Sequence, residues 1–229
     1  MADAQVQTPQ GDIRAAIEVP DGTGPWPGVV VLHDALGLGE DIRGIARRVA
    51  DAGYLAIAPD LYSRGGALRC TRTVFRDLIR HEGRTVDDIL AARDHLAARE
   101  DCTGKIAVAG FCLGGGFALI ASPKGFEAAA PFYPSLPSSF EKVIDGACPI
   151  VASFGSRDPI NINGEQKLRK GLDARGIEHD LKTYGGAGHG FANKLAGQPF
   201  ARVVGFGYNE QATEDAWSRV FAFFGTHLS

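Results

Sequence analysis

Charge is nowhere concentrated in this chain. Its 24 lysines and arginines stand against 27 aspartates and glutamates, the net charge is −3, and no block of either sign stands out. Nucleic acid and membrane surfaces both call for a basic footprint, so neither is expected as a partner. Long apolar runs are also missing, and none approaches the roughly 20 residues of a bilayer-spanning helix. Met1 to Asp12 is polar, without a basic start followed by an apolar stretch. No signal peptide is expected there, and the location expected is cytoplasmic. Cysteine is scarce: Cys70, Cys102, Cys112 and Cys148 form no C-x-x-C pair and no Cys/His spacing of a zinc site. Neither a metal nor a cofactor is therefore expected. With no internal repeat, low-complexity tract or linker, residues 1–229 read as one domain, long enough to bury a sizeable core.

What is present is an alternation of short apolar runs and helical patterns, which points to an α/β fold with a mostly parallel sheet. Val29 to Leu32 is apolar throughout, as a strand covered on both faces would be. Glu40 to Asp51 follows with Ile42, Ile45, Ala46 and Val49 on one helical stripe, and Gly53 ends it. Leu55 to Ala58 reads as a strand stopped by Pro59. Thr85 opens a helix, with Asp88 as its capping partner. Ile106 to Ala109, Ala128 to Phe132, Ile150 to Phe154 and Asp180 to Tyr184 read as further strands. Leu113 to Ser122, Gly164 to Arg175 and Asn209 to Phe224 read as helices, the last with Thr213, Trp217, Val220, Phe221 and Phe224 as a core stripe. Tyr62 to Arg84 is the least regular segment, a basic loop holding Cys70 with a short helix around Val74 to Ile79.

Gly110-Phe111-Cys112-Leu113-Gly114 fits the nucleophile-elbow pattern G-x-S-x-G with cysteine in the serine place. The pattern alone is weak, since composition predicts about 0.2 occurrences by chance in a chain of this length. Its context is stronger: an apolar strand ends at Gly110 and a helix opens beyond Leu113. A sharp strand-to-helix turn would expose the thiol at the sheet's carboxyl edge. There the helix dipole and unpaired N–H groups favour a thiolate. Such a nucleophile needs a base and an acid to orient that base. In α/β-hydrolases they follow in the order nucleophile, acid, histidine. Asp158 comes directly after the strand Ile150 to Phe154, and His189 lies in Gly185-Gly186-Ala187-Gly188-His189-Gly190-Phe191. His81, His95, His179 and His227 have surface-like contexts. His33 ends a strand, where it either lines the site or serves as a satisfied structural histidine.

Assembled, these residues resemble the dienelactone hydrolase family of α/β-hydrolases. The marks are Val29-Val30-Val31-Leu32-His33-Asp34-Ala35-Leu36-Gly37, Ala58-Pro59-Asp60-Leu61-Tyr62, Gly110-Phe111-Cys112-Leu113-Gly114-Gly115, Asp158 and Gly188-His189-Gly190-Phe191, with a similar tail from Tyr208-Asn209 to Ala216-Trp217. The resemblance implies an eight-stranded, mostly parallel sheet flanked by helices, without a large cap domain. It implies hydrolysis of a carboxylic ester or lactone through a Cys112-His189-Asp158 triad and an acyl-cysteine. The oxyanion hole would be the backbone N–H groups of Leu113 and Ala35. In dienelactone hydrolases a glutamate before the second donor contacts the resting thiol. This chain has Asp34 there, one methylene shorter, which either borders the thiol or merely caps a turn. Relatives hold a substrate carboxylate with arginines. Here Arg64, Arg69, Arg72, Arg76 and Arg80 stand either for such binding or for a solvated basic surface.

Other readings of the same residues are a general carboxylesterase or thioesterase with the same triad, and a redox-sensing thiol on a hydrolase fold. In the second, Cys70 or Cys148 would be the resolving partner.

Overall fold

The computed structural model describes residues 2–136, 139–194 and 205–229. Among them run the strands β1 (Ala2–Val6), β2 (Ile13–Glu18), β3 (Trp26–Leu32), β4 (Leu55–Pro59), β5 (Cys102–Phe111), β6 (Ala128–Phe132), β7 (Ile150–Gly155) and β8 (His179–Tyr184). The helices are α1 (Glu40–Asp51), α2 (Gly66–Arg80), α3 (Arg84–Ala97), α4 (Leu113–Ala121), α5 (Phe140–Val143), α6 (Gly164–Asp173) and α7 (Glu210–His227). The strands form one eight-stranded sheet in the order β1-β2-β4-β3-β5-β6-β7-β8. It is parallel from β4 to β8, while β2 pairs antiparallel with both β1 and β4. This is the mostly parallel sheet, flanked by helices, that the sequence pattern predicts.

Period-two alternation explains how a strand as uniformly apolar as β3 is used. Val30 and Leu32 enter the core under α2, α3, α4, α5 and α6, whereas Val29 and Val31 enter the core under α1 and α7. Each such side chain, fully buried, contributes about 1.5–3 kcal/mol of transfer free energy. On the second face Trp217 lies against Phe132 with ring centroids 5.0 Å apart and against Phe111 at 6.1 Å. The aromatic stripe of the last helix is thus core packing. Asn209 caps that helix, its side chain accepting the Ala212 N–H at 3.1 Å.

Several elements differ from the sequence expectation. β1 and β2 were not expected, because the outer strand exposes most of its side chains and carries no alternating apolar face. The Tyr62 to Arg84 segment holds a fifteen-residue helix, and Cys70 is buried in it with Sγ 3.5 Å from the Tyr62 carbonyl oxygen. The loop expectation failed because arginines and threonines dominate the outward faces of that helix. Thr85 does not cap the next helix. Gly83 holds the N-cap position, and the Thr85 N–H and hydroxyl both donate to Asp77 Oδ2, at 3.0 and 2.9 Å. Asp88 instead binds Arg64. Cys102 is the first residue of β5. No helix among the described residues is long and apolar enough to cross a membrane.

The chain leaves β3 toward β4 on one side and takes up β5 on the other. The carboxyl ends of β3 and β5 therefore flank a topological switch point, where open α/β sheets place their ligand crevice.

Candidate active site

Cys112 is the first residue past β5 and the N-cap of α4, with φ 53° and ψ −112°. A non-glycine residue in this region costs about 1–3 kcal/mol and persists only when its surroundings hold it there. Here they do. The Cys112 N–H donates to the Phe132 carbonyl at 3.1 Å, and the Cys112 carbonyl accepts from Gly116 N–H at 3.1 Å and Ser135 N–H at 2.9 Å. The flanking glycines are required by contact. A Cβ on Gly110 would lie 2.1 Å from the Gly114 oxygen, and one on Gly114 would lie 2.4 Å from the Leu32 oxygen and 2.5 Å from that of His33. The elbow sequence thus lets α4 start against the end of β3.

Asp158 follows β7, and its carboxylate is saturated with donors. Oδ1 accepts the backbone N–H groups of Ile160 and Asn161 at 2.8 and 3.1 Å; Oδ2 accepts the Asn161 side-chain amide at 3.0 Å. Oδ2 also meets His189 Nδ1 at 2.8 Å. Burial alone would raise the Asp158 pKa, but the bonds to His189, Asn161 and Ile160 outweigh it and lower it. His189 is held through its backbone, with its N–H on the Gly205 oxygen at 2.7 Å and its carbonyl accepting from Gly207 at 3.1 Å. A Cβ on Gly188 would meet the Gly205 oxygen at 2.1 Å, so the glycine-rich loop serves close backbone approach. Tyr133 presents its ring edge-on to the imidazole, with centroids 5.1 Å apart.

His189 Nε2 is buried and has no hydrogen-bond partner among the described residues. Burial depresses the His189 pKa, yet the Asp158 bond and the nearby Cys112 sulfur overcome that and raise it to about 9. Cys112, Asp158 and His189, separated by 46 and 31 residues in sequence, are thereby brought together.

The second loop of the site begins at His33. That ring is buried, and both nitrogens are engaged: Nδ1 with the Asp34 carbonyl at 2.6 Å, Nε2 with the Leu61 N–H at 3.1 Å. Burial lowers its pKa, and it serves as a structural tie between the ends of β3 and β4. Asp34 Oδ1 accepts the Leu36 N–H at 2.8 Å, an Asx-turn that shapes the chain around Ala35. Burial raises the Asp34 pKa, opposed by that bond and by the nearby His33. The Tyr62 hydroxyl donates to the Ala35 carbonyl at 3.2 Å, and Tyr62 N–H donates to Asp60 Oδ1 at 3.0 Å. The Asp60-Leu61-Tyr62 motif therefore acts by fixing the Ala35 loop. Neither the Ala35 nor the Leu113 N–H has an acceptor among the described residues.

Sequence reasoning missed Ser135, whose hydroxyl lies 3.8 Å from Cys112 Sγ. It also missed Tyr133 and Asn161, and it gave Tyr62 only as part of a motif, without a role. Of the five arginines, Arg64 is held by Asp88 and by the Gly11 carbonyl, and Arg76 pairs with Asp77 at 3.0 Å. Arg69, Arg72 and Arg80 are exposed. Among the remaining thiols, Cys70 is buried, and burial pushes Cys148 up to about 12, which disfavours its thiolate.

Residues 13–228 match the Dienelactone hydrolase family. A Yersinia pestis protein named "Putative carboxymethylenebutenolidase" is 30% identical over 238 residues, which cover 95% of this chain and 85% of that protein. A carboxymethylenebutenolidase of Rhodococcus opacus is 28% identical, over 98% of this chain and 91% of its own. The same fold is found in a dienelactone hydrolase-like promiscuous phosphotriesterase from metagenomic libraries. The two superpose with a TM-score of 0.81 at 24% identity, covering 100% of this chain and 99% of that one. A match spanning nearly the whole sequence, on this sheet, means that the chain belongs to the dienelactone hydrolase family and is a hydrolase of ester or lactone bonds.

Proposed function

We propose that the chain cleaves its ester or lactone through Cys112 as nucleophile, His189 as general base and acid, and Asp158 as the group that orients His189. The observation that carries this is the His189–Asp158 bond at 2.8 Å, with Nε2 of the same buried ring left unpaired and Cys112 near enough to raise the His189 pKa. Asp158 takes Nδ1 as its donor, which leaves Nε2 to exchange a proton with the sulfur.

In the proposed sequence, the sulfur first gives its proton to His189, whose raised pKa of about 9 favours holding it at neutral pH, and then attacks the substrate carbonyl as the thiolate. The developing oxyanion takes the two unpaired N–H groups, Leu113 at the start of α4 and Ala35 after β3. His189 then returns the proton to the leaving alkoxide, giving a thioester on Cys112. Water, deprotonated by the same imidazole, releases the acid and restores the thiol. Asp34 contributes by setting the loop that presents Ala35, through its bond to Leu36. The substrate class is a small ester or lactone. The relatives' name adds carboxylated lactones to the panel to be tried.

The test is turnover of aryl esters, lactones with and without a carboxylate, and thioesters. Cys112→Ala, His189→Gln and Asp158→Asn should each lose several orders of magnitude, because such groups act as a unit. Cys70→Ala, Cys102→Ala and Cys148→Ala should retain most activity. Full turnover by Cys112→Ala would overturn the assignment.

A further inference from the structure

We infer that Ser135 is a positioning residue for the sulfur, its hydroxyl serving as the fixed hydrogen-bond partner of Cys112 Sγ. This rests on the reading of Cys112 as nucleophile and extends it to a residue outside the triad. The contact itself is 3.8 Å between Sγ and Oγ, a reasonable separation for an atom as large as sulfur.

What makes the contact more than a chance neighbour is how the serine is held. The two backbone polar groups of Cys112 are both tied to one short segment, its N–H to Phe132 and its carbonyl to the Ser135 N–H at 2.9 Å. The segment between them turns through Tyr133, at φ 33°, and Pro134, whose ring fixes φ. Tyr133 is anchored in turn, its N–H donating to the Ser153 carbonyl at 2.7 Å. On the far side Gly116 of α4 leaves no room, since a Cβ there would lie 2.5 Å from the Ser135 oxygen. The serine backbone is thus locked onto the nucleophile's own carbonyl, and only its hydroxyl remains free to rotate.

A hydroxyl both donates and accepts. Against the resting thiol it can accept the S–H; against a thiolate it donates. The donor form matters twice, when the proton passes from sulfur to His189 and when sulfur departs from the thioester. Nε2 of His189 is the proton's destination, and the Ser135 hydroxyl is the other side-chain group in hydrogen-bonding contact with Sγ among the described residues. Hydrogen bonds to a charged partner are about twice as strong as neutral ones.

The experiment compares wild type, Ser135→Ala and Ser135→Thr by iodoacetamide alkylation of Cys112 from pH 5 to 10, and by kcat and KM on an aryl acetate. Ser135→Ala keeps the backbone bond and removes only the hydroxyl. It should alkylate about tenfold more slowly near pH 7 and converge on the wild-type rate at high pH, with kcat lowered about tenfold and KM little changed. Ser135→Thr, which keeps the hydroxyl, should recover most of both. A Ser135→Ala profile superimposable on wild type, or a threonine variant as impaired as the alanine one, overturns the inference. The two failures are separable: turnover surviving Cys112→Ala removes the nucleophile assignment, whereas loss in Cys112→Ala with an unaffected Ser135→Ala removes only the role of Ser135.

Discussion

Nδ1 of His189 and Oδ2 of Asp158 meet at 2.8 Å in a setting where the carboxylate already accepts three other N–H bonds. Asp158 therefore cannot turn away without leaving several buried donors unpaired, and the imidazole inherits that rigidity. Asp158→Asn would place an amide against Nδ1 and favour the wrong tautomer. Turnover of an aryl ester should fall about 10³-fold or more. A loss smaller than tenfold would mean that the carboxylate does not orient the base.

The same pair predicts a pH dependence of stability. The His189 pKa is raised in the folded protein from 6.5 to about 9. A group raised on folding stabilises fully below its unfolded pKa, and that contribution is lost as pH rises through the folded value. The window here is pH 6.5 to 9, and the contribution lost is on the order of 3 kcal/mol. Denaturant unfolding of wild type and His189→Gln across that window should show the wild type losing stability relative to the variant as pH rises. Parallel curves would contradict it.

Gly114 tests the packing that builds the elbow. A methyl at that position would strike two backbone carbonyls at the end of β3, and backbone cannot swing aside as a side chain can. Gly114→Ala should cost about 3 kcal/mol or more. Thermal denaturation reads this directly. An unchanged melting temperature would show that α4 and β3 do not approach as described.

Asp34 separates charge from geometry. Asp34→Asn retains an oxygen for the Leu36 N–H, so the Ala35 loop should keep its shape and turnover should stay within a few-fold of wild type. Asp34→Ala removes the acceptor; stability should fall by about 1 kcal/mol and turnover more than in the asparagine variant. Equal losses in the two would make the carboxylate charge, not the turn, the operative feature. A faster alkylation of Cys112 in Asp34→Asn would give that charge a hold on the resting thiol.

The parts of this molecule legible in the sequence are those written by local rules. β3, α1 and β6 follow from apolar runs and helical spacing, and the elbow follows from glycines whose Cβ atoms would strike backbone. The order Cys112, Asp158, His189 was readable because each sits just past a strand, where the chain emerges at the carboxyl edge. Ser135 was not readable: its place depends on a turn through Tyr133 at positive φ, which no side-chain pattern announces. Tyr62 was visible in a motif, but its bond to the Ala35 carbonyl depends on two loops from different strands meeting. The α2 helix was shortened to a fragment because its outward arginines resemble a basic loop, while its buried face rests on Cys70, Val74 and Leu78.

The central claim is a covalent acyl group on Cys112, and acid-quenched mass spectrometry tests it most directly. The protein is mixed with an aryl acetate, stopped during turnover and digested. The peptide carrying Cys112 should bear one acetyl group in the wild type, and in the Cys112→Ala protein no peptide should bear one. An acetyl group on a different residue in the wild type, or turnover by the alanine variant at the wild-type rate, would contradict the account.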